Sequence, residues 1–239
     1  MPANISQFET IVPNILTICT YTEFAPFAYE ENGKIVGSDI FLLENFATQM
    51  GLGINLVKKG FAGLWHTPGN DECDIAAAGM MAREDRDLAG RGAWSQSYML
   101  VTRSLLIRME DIDVLRVPVD FSGKKIVVTP ASTAHIDAIE RYEPLGSTII
   151  PVVPSQAEVV RKILGHEVDA FGEGNVSNGY LAEKYVDENG RRLLALTDLH
   201  SMDSPEVLRF AVRATDKKLL YHLNEFITKQ LPGSSGESL

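Results

Sequence analysis

The chain has 239 residues, 45% hydrophobic and 23% charged, with a formal net charge of −10. That length fits one large domain or two lobes of about a hundred residues each. The acidic balance argues against nucleic acid or an anionic membrane as partner, and no run of about 18 apolar residues exists to span a bilayer. Residues 1–16 lack a basic n-region and a continuous apolar h-region, so no signal peptide is read there. A cytoplasmic chain and a mature, processed form both fit.

Ile15 to Thr20 reads as a strand, followed by the Pro-containing loop Phe24-Ala25-Pro26-Phe27. Glu31-Asn32-Gly33-Lys34 is a hairpin turn. Asp39 is expected to cap a helix whose apolar face is Ile40, Leu43, Phe46, Ala47 and Met50, closed by Gly51. Ile54 to Val57 and Asp74 to Ala78 read as further strands, giving a β-α-β-α-β unit with a parallel sheet. A second unit opens after the apolar run Leu105-Leu106-Ile107. It has strands at Ile126 to Val128, Thr148 to Val153 and Val168 to Phe171, with helices from Ala134 to Tyr142 and from a Ser155 cap to Leu164. The chain returns through a strand, Leu208 to Arg213, and a helix, Asp216 to Lys229, before a linker-like tail at residues 232–236.

Cys19 and Cys73 fit no metal spacing and form no C-x-x-C pair; apolar contexts favour two buried free thiols over a Cys19–Cys73 disulfide. The five histidines, at 66, 135, 166, 200 and 222, have no metal-ligand spacing. No metal or cofactor is expected. The segment Asp74 to Arg86 is the most informative: a buried apolar run ends at Gly79, an irregular turn comes next, and a charged stretch delivers Arg86. Backbone N–H groups beside a guanidinium form a grip for a carboxylate. The competing readings are local. Arg86 could pair at the surface with Asp85 or Asp87, the role assigned here to Arg83. Phe24 and Phe61 could be core residues, as Phe27 and Phe41 are expected to be. Ser132, His135 and Asp137 invite a triad, but helical spacing alone does not build one.

The motifs FAPFAY, NGKIVGSDI, GFAGL, DIAAAGMMAREDR, WSQSY and VDAFGEGNVSNGYL, in that order, resemble the bilobed periplasmic solute-binding proteins of the polar amino-acid uptake class. The resemblance spans about residues 15 to 229. It implies an α/β fold of two lobes around a ligand cleft: residues 1–97 plus 200–239, and residues 103–195, joined by crossings at 98–102 and 195–200. It implies that Arg86 holds a ligand carboxylate, helped by backbone at Gly79 and Met81 and by the turn Ala131-Ser132-Thr133 at a helix N-terminus. Phe24 and Phe61 would sandwich the ligand, with Tyr21, Tyr98 and Glu173 also lining it. It further implies a monomer in the periplasm or another extracytoplasmic space, whose partners are a small organic carboxylate and a membrane transporter or receptor.

Departures sharpen the expectation. Met81 stands where the family usually has a hydroxyl, and the acidic residues that hold a ligand ammonium map to Gly174 and Tyr21. Glu173 and Glu23 lie next door, but alternation along an extended segment turns their side chains elsewhere. The ligand is therefore expected to be an amino acid or derivative whose α-amino group is absent or held differently, since an unpartnered buried ammonium costs several kcal/mol. The same fold resembles cyclohexadienyl dehydratases, whose acid maps onto His135, so an enzyme is the second reading. The terminal amphipathic helix usual in the family is absent after Gln230, which leaves a third reading, a sensing domain of a membrane receptor or cell-wall enzyme.

Overall fold

A computed structural model describes residues 8–152, 155–197, 199–200 and 205–230. Val153, the tail from 231 onward and the segment 201–204 lie outside the described residues, and with them the expected linker and the stretch after Gln230. The described residues form two units, one from residues 8–100 and 207–230 and one from residues 101–206.

In the first unit a five-stranded sheet runs in the order Gly53–Lys58, Ile15–Thr20, Ile75–Ala77, Ala211–Arg213, Gly92–Trp94. Ile15–Thr20 lies inside the sheet because its apolar, β-branched run is buried on both faces from Leu16 onward. It pairs parallel with both neighbours, Ile18 facing Leu56 on one side and Ile75 on the other. The last two strands join antiparallel, so the sheet is mixed rather than parallel throughout. The expected second helical crossover is also missing. Residues 59–74 carry only the two short 3₁₀ turns Leu64–His66 and Pro68–Asn70, where Pro68 and three nearby glycines deny a longer helix.

The second unit repeats the pattern: Thr148–Pro151, Lys125–Val128, Ala170–Gly174, Arg103–Arg108, Leu194–Leu196. Alternate residues face opposite sides. Leu105, Ile107, Ile126 and Val128 pack with Phe121 and Tyr142, while Leu106, Val127 and Phe171 pack with Val159 and Ile163. Ser155 caps Gln156–Leu164 by accepting the Glu158 N–H at 3.2 Å. The helix Asn175–Lys184 is not legible in the sequence, because its apolar residues form no stripe and Asn175 and Gly179 weaken its propensity. The first division between units, after Leu100, lies within the expected crossing at 98–102; the second falls between Glu206 and Val207. Leu194–Leu196, which overlaps the start of the expected crossing at 195–200, is a strand antiparallel to Arg103–Arg108. The return strand is two short ones, Glu206–Leu208 and Ala211–Arg213.

Four side chains depart from expectation. Phe41, read as core, is 65% exposed on the outer face of Ser38–Met50. Cys19 and Cys73, read as free thiols, are joined in a disulfide, with Cα atoms 5.8 Å apart, a separation within the ordinary range for such a bond. Asp39 is no cap. Gly37 occupies the N-cap without a side-chain bond, and Asp39, inside the first turn, is fully buried. Its Oδ2 accepts the Gly79 N–H and the Tyr98 hydroxyl, both at 2.8 Å. Burial pushes its carboxyl from 3.8 up to about 7, against the downward pull of those two donors.

This packing sets two expected outcomes. Closing a loop of 54 residues between Cys19 and Cys73 constrains the unfolded chain, so Cys73→Ser should lower unfolding free energy by about 2–4 kcal/mol in urea titrations; an unchanged midpoint under oxidising conditions would contradict the bond. Because folding raises the Asp39 pKa, its contribution to stability is complete below about pH 4 and is lost as pH rises through about 7. The slope is at most about 1.4 kcal/mol per pH unit. Asp39→Asn should remove that part of the pH dependence; parallel curves for the two proteins across this range would count against it.

Candidate carboxylate-binding site

The turn after Ile75–Ala77 is fixed at each step. Gly79 has φ of 54°, and a Cβ there would come within 2.6 Å of Phe24 Cε1 and 2.8 Å of Phe27 Cδ2, so only glycine lets the backbone lie against these rings. Its N–H is held by Asp39. The Met80 carbonyl accepts the Arg209 N–H at 2.9 Å, and Met81 bridges to Leu208. Arg86 then folds back: its N–H reaches the Arg83 carbonyl at 3.0 Å and its Nη1 donates to the Met81 carbonyl at 2.9 Å. Arg83 makes a two-point contact with Asp85 at 2.7 Å that holds the Asp85 carboxyl below its ordinary range. Arg86 is 2% exposed, which disposes of a surface role.

Aromatic rings surround this guanidinium. The Arg86 Cζ lies 4.5 Å from the Trp65 ring centroid and 5.4 Å from that of Phe61. Phe61 in turn packs 5.7 Å from Tyr21 and 6.4 Å from Phe24. The first unit thus gathers Tyr21, Phe24, Phe61, Gly79, Met81 and Arg86. A guanidinium keeps its charge and its planar fork when buried, and low-dielectric surroundings strengthen its hold on a planar anion. Trp65 is missed by sequence reasoning because the recognisable motif GFAGL ends at Leu64; a tryptophan one turn beyond an expected pocket aromatic is the available clue.

Tyr98 and the Gly79 N–H play a supporting part. The Tyr98 hydroxyl donates to Asp39, its ring stacks on Phe210 at 4.3 Å, and burial together with the neighbouring Asp39 charge raises its pKa well above the usual value. Both the Gly79 N–H and the Tyr98 hydroxyl are directed to Asp39. No sequence pattern marks Asp39 for this, since its position near a helix start reads as a cap.

In the second unit Ser132 caps Thr133–Arg141, its Oγ accepting the His135 N–H at 3.1 Å, and Thr133 is the first helical residue. Ala131 takes φ of 61° to enter this turn. Asp137 turns away from any triad with His135. It accepts from His200 Nε2 and Arg141 Nε, both at 3.0 Å, and the Tyr142 hydroxyl lies 3.3 Å from the same His200 nitrogen. Burial pushes the Asp137 carboxyl up, but His200 and Arg141 outweigh it and leave it below its ordinary range. Glu173 is 4% exposed. Its Oε1 accepts the Gly174 N–H at 3.1 Å and lies 3.7 Å from Arg103 Nη1, while Arg103 Nη2 pairs with Glu206 at 2.9 Å. Glu23 is half-buried in the short strand Glu23–Phe24.

The chain is similar to a probable histidine-binding protein of Campylobacter jejuni, 27% identical over 113 residues, 47% of this chain and 43% of that one. The matched segments span about half the length of the curated relatives, 43% and 58%. Among solved structures, the fold is similar to the amino-acid ABC transporter substrate-binding protein AbpA of Streptococcus pneumoniae bound to L-arginine. That match has a TM-score of 0.77 and 22% identity, and covers 90% of this chain and 88% of that one. It is equally similar to an ancestral amino-acid-binding protein, AncCDT-1, a precursor of cyclohexadienyl dehydratase, with a TM-score of 0.77, 20% identity, and coverage of 93% and 91%. Residues 16–231 match the family described as bacterial extracellular solute-binding proteins, family 3, and the chain belongs to that family.

Proposed function

We propose that this protein binds an amino acid or a closely related carboxylate through Arg86 and serves an uptake transporter or a sensory receptor outside the cytoplasm. The observation that carries the reading is the buried Arg86 guanidinium, set against Phe61 and Trp65 at the end of a turn held from Gly79 to Met81. Tyr21, Phe24 and Phe61 favour a ligand with an apolar or planar body beside its carboxylate. Names of relatives that bind histidine or arginine support an amino-acid-like ligand. Ser132, Thr133 and Glu173 of the second unit belong to the proposed ligand set by resemblance. The Cys19–Cys73 disulfide fits an oxidising compartment.

The ammonium end is read differently from the family. Gly174 and Tyr21 carry no carboxylate, and Glu173 is engaged with the Gly174 N–H and faces Arg103. An α-amino group absent, or held by groups other than the family's acids, accords with that arrangement.

Calorimetry against the common amino acids, their 2-oxo acids and their carboxamides tests both parts. Carboxylates should bind and matching carboxamides should lose at least tenfold, about 1.4 kcal/mol. Arg86→Ala should weaken the best ligand by about 3 kcal/mol, with Arg86→Lys intermediate because it keeps the charge and loses the fork. Equal affinity of acid and carboxamide, or a fully active Arg86→Ala protein, would reject the assignment. A 2-oxo acid binding at least as tightly as its amino acid would support the unusual ammonium end, and strong preference for the amino acid would reject it.

A further inference from the structure

We infer that Trp65 is a positioning residue of the carboxylate site, its ring face fixing the plane of the Arg86 guanidinium. The inference rests on the proposed role of Arg86 and adds a residue that sets how strictly the site demands a carboxylate.

Trp65 sits in the 3₁₀ turn Leu64–His66, a rigid setting. The Leu64 N–H bonds the Phe61 carbonyl at 3.1 Å, the His66 N–H bonds the Gly63 carbonyl at 2.9 Å, and the Thr67 hydroxyl closes onto the Leu64 carbonyl at 2.8 Å. Leu64 is fully buried and anchors the turn, and Trp65 itself is 8% exposed. Its ring lies nearly perpendicular to that of Phe61, at 75° and 6.3 Å, so the two rings form a corner, and Arg86 lies within cation–π range of both.

The indole makes no hydrogen bond that would account for its presence: among the described residues Trp65 Nε1 has no partner. A buried, unsatisfied donor is unfavourable, and leucine or phenylalanine would fill the space without it. What indole offers beyond these is the strongest π face for a cation. A guanidinium within cation–π range of two nearly perpendicular rings has little freedom to turn, and a fixed orientation of its edge makes the two parallel N–H···O bonds that distinguish a carboxylate from a carboxamide. Trp65 therefore acts on selectivity as well as affinity.

The test uses the full chain and, as probe, whichever common amino acid or 2-oxo acid binds it best, paired with its carboxamide. Trp65→Leu should weaken the acid about tenfold and narrow the acid-to-carboxamide ratio, while Trp65→Phe should stay within about threefold because it keeps a π face. Trp94 is the only other tryptophan, so in a Trp94→Phe background the acid should also shift Trp65 emission, a readout that does not require Trp65→Leu to fold. Unchanged affinity and ratio in a folded Trp65→Leu protein, or no emission change on saturation, would overturn the inference while leaving Arg86 in place if Arg86→Ala abolishes binding. Undiminished binding by Arg86→Ala would instead bring down the parent reading and this inference together.

Discussion

The first unit depends on one buried carboxylate. Asp39 Oδ2 takes a donor from Gly79, where the turn leading to Arg86 begins, and another from Tyr98, two residues before the chain leaves this unit. The helix Ser38–Met50 supplies the carboxylate, so the helix, the turn and the segment around Tyr98 share one anchor. Asp74 performs a matching task at the other end of the strand Ile75–Ala77, accepting the Ile11 and Thr17 N–H groups and pairing with Arg213 at 3.1 Å. That strand is thus bracketed by two buried carboxylates, and the turn leaving it has little freedom. Directional hydrogen bonds to buried carboxylates specify one arrangement more strongly than apolar contacts do, even though Asp39 makes its two through Oδ2 alone and its Oδ1 has no partner among the described residues.

That constraint explains why the site is so sensitive to small residues. Gly79 cannot accept a side chain, because Phe24 and Phe27 occupy the space. The two rings and the glycine make one packed surface, from which the turn runs on to Met81 and Arg86. On the proposed reading, Asp39, Tyr98 and the Gly79 N–H do not touch the ligand; they set the position of the guanidinium that does.

Much of this is legible in the sequence, for reasons specific to each element. The continuous apolar run Ile15–Thr20, the Asn32-Gly33 hairpin and the Ser155 cap each carry a local signal that tertiary packing reinforces. The residues Tyr21, Phe24, Phe61, Gly79, Met81 and Arg86, named from resemblance, do gather in one unit. The features that escape a sequence reading depend on distant partners. Asp39 has the local look of a cap, and only Gly79 and Tyr98, 40 and 59 residues away, reveal otherwise. The disulfide joins residues 54 apart in sequence, and the Asp137–His200 pair needs a contact across 63 residues. The helix Asn175–Lys184 has no amphipathic stripe to find.

A crystal structure of the protein with its best-binding amino acid or 2-oxo acid tests the central claim most directly. Both carboxylate oxygens should sit on the Arg86 fork, with the guanidinium still within cation–π range of Trp65 and the Gly79 N–H and Tyr98 hydroxyl still on Asp39. A ligand whose carboxylate is held elsewhere, with Arg86 making no contact to it, would contradict the claim.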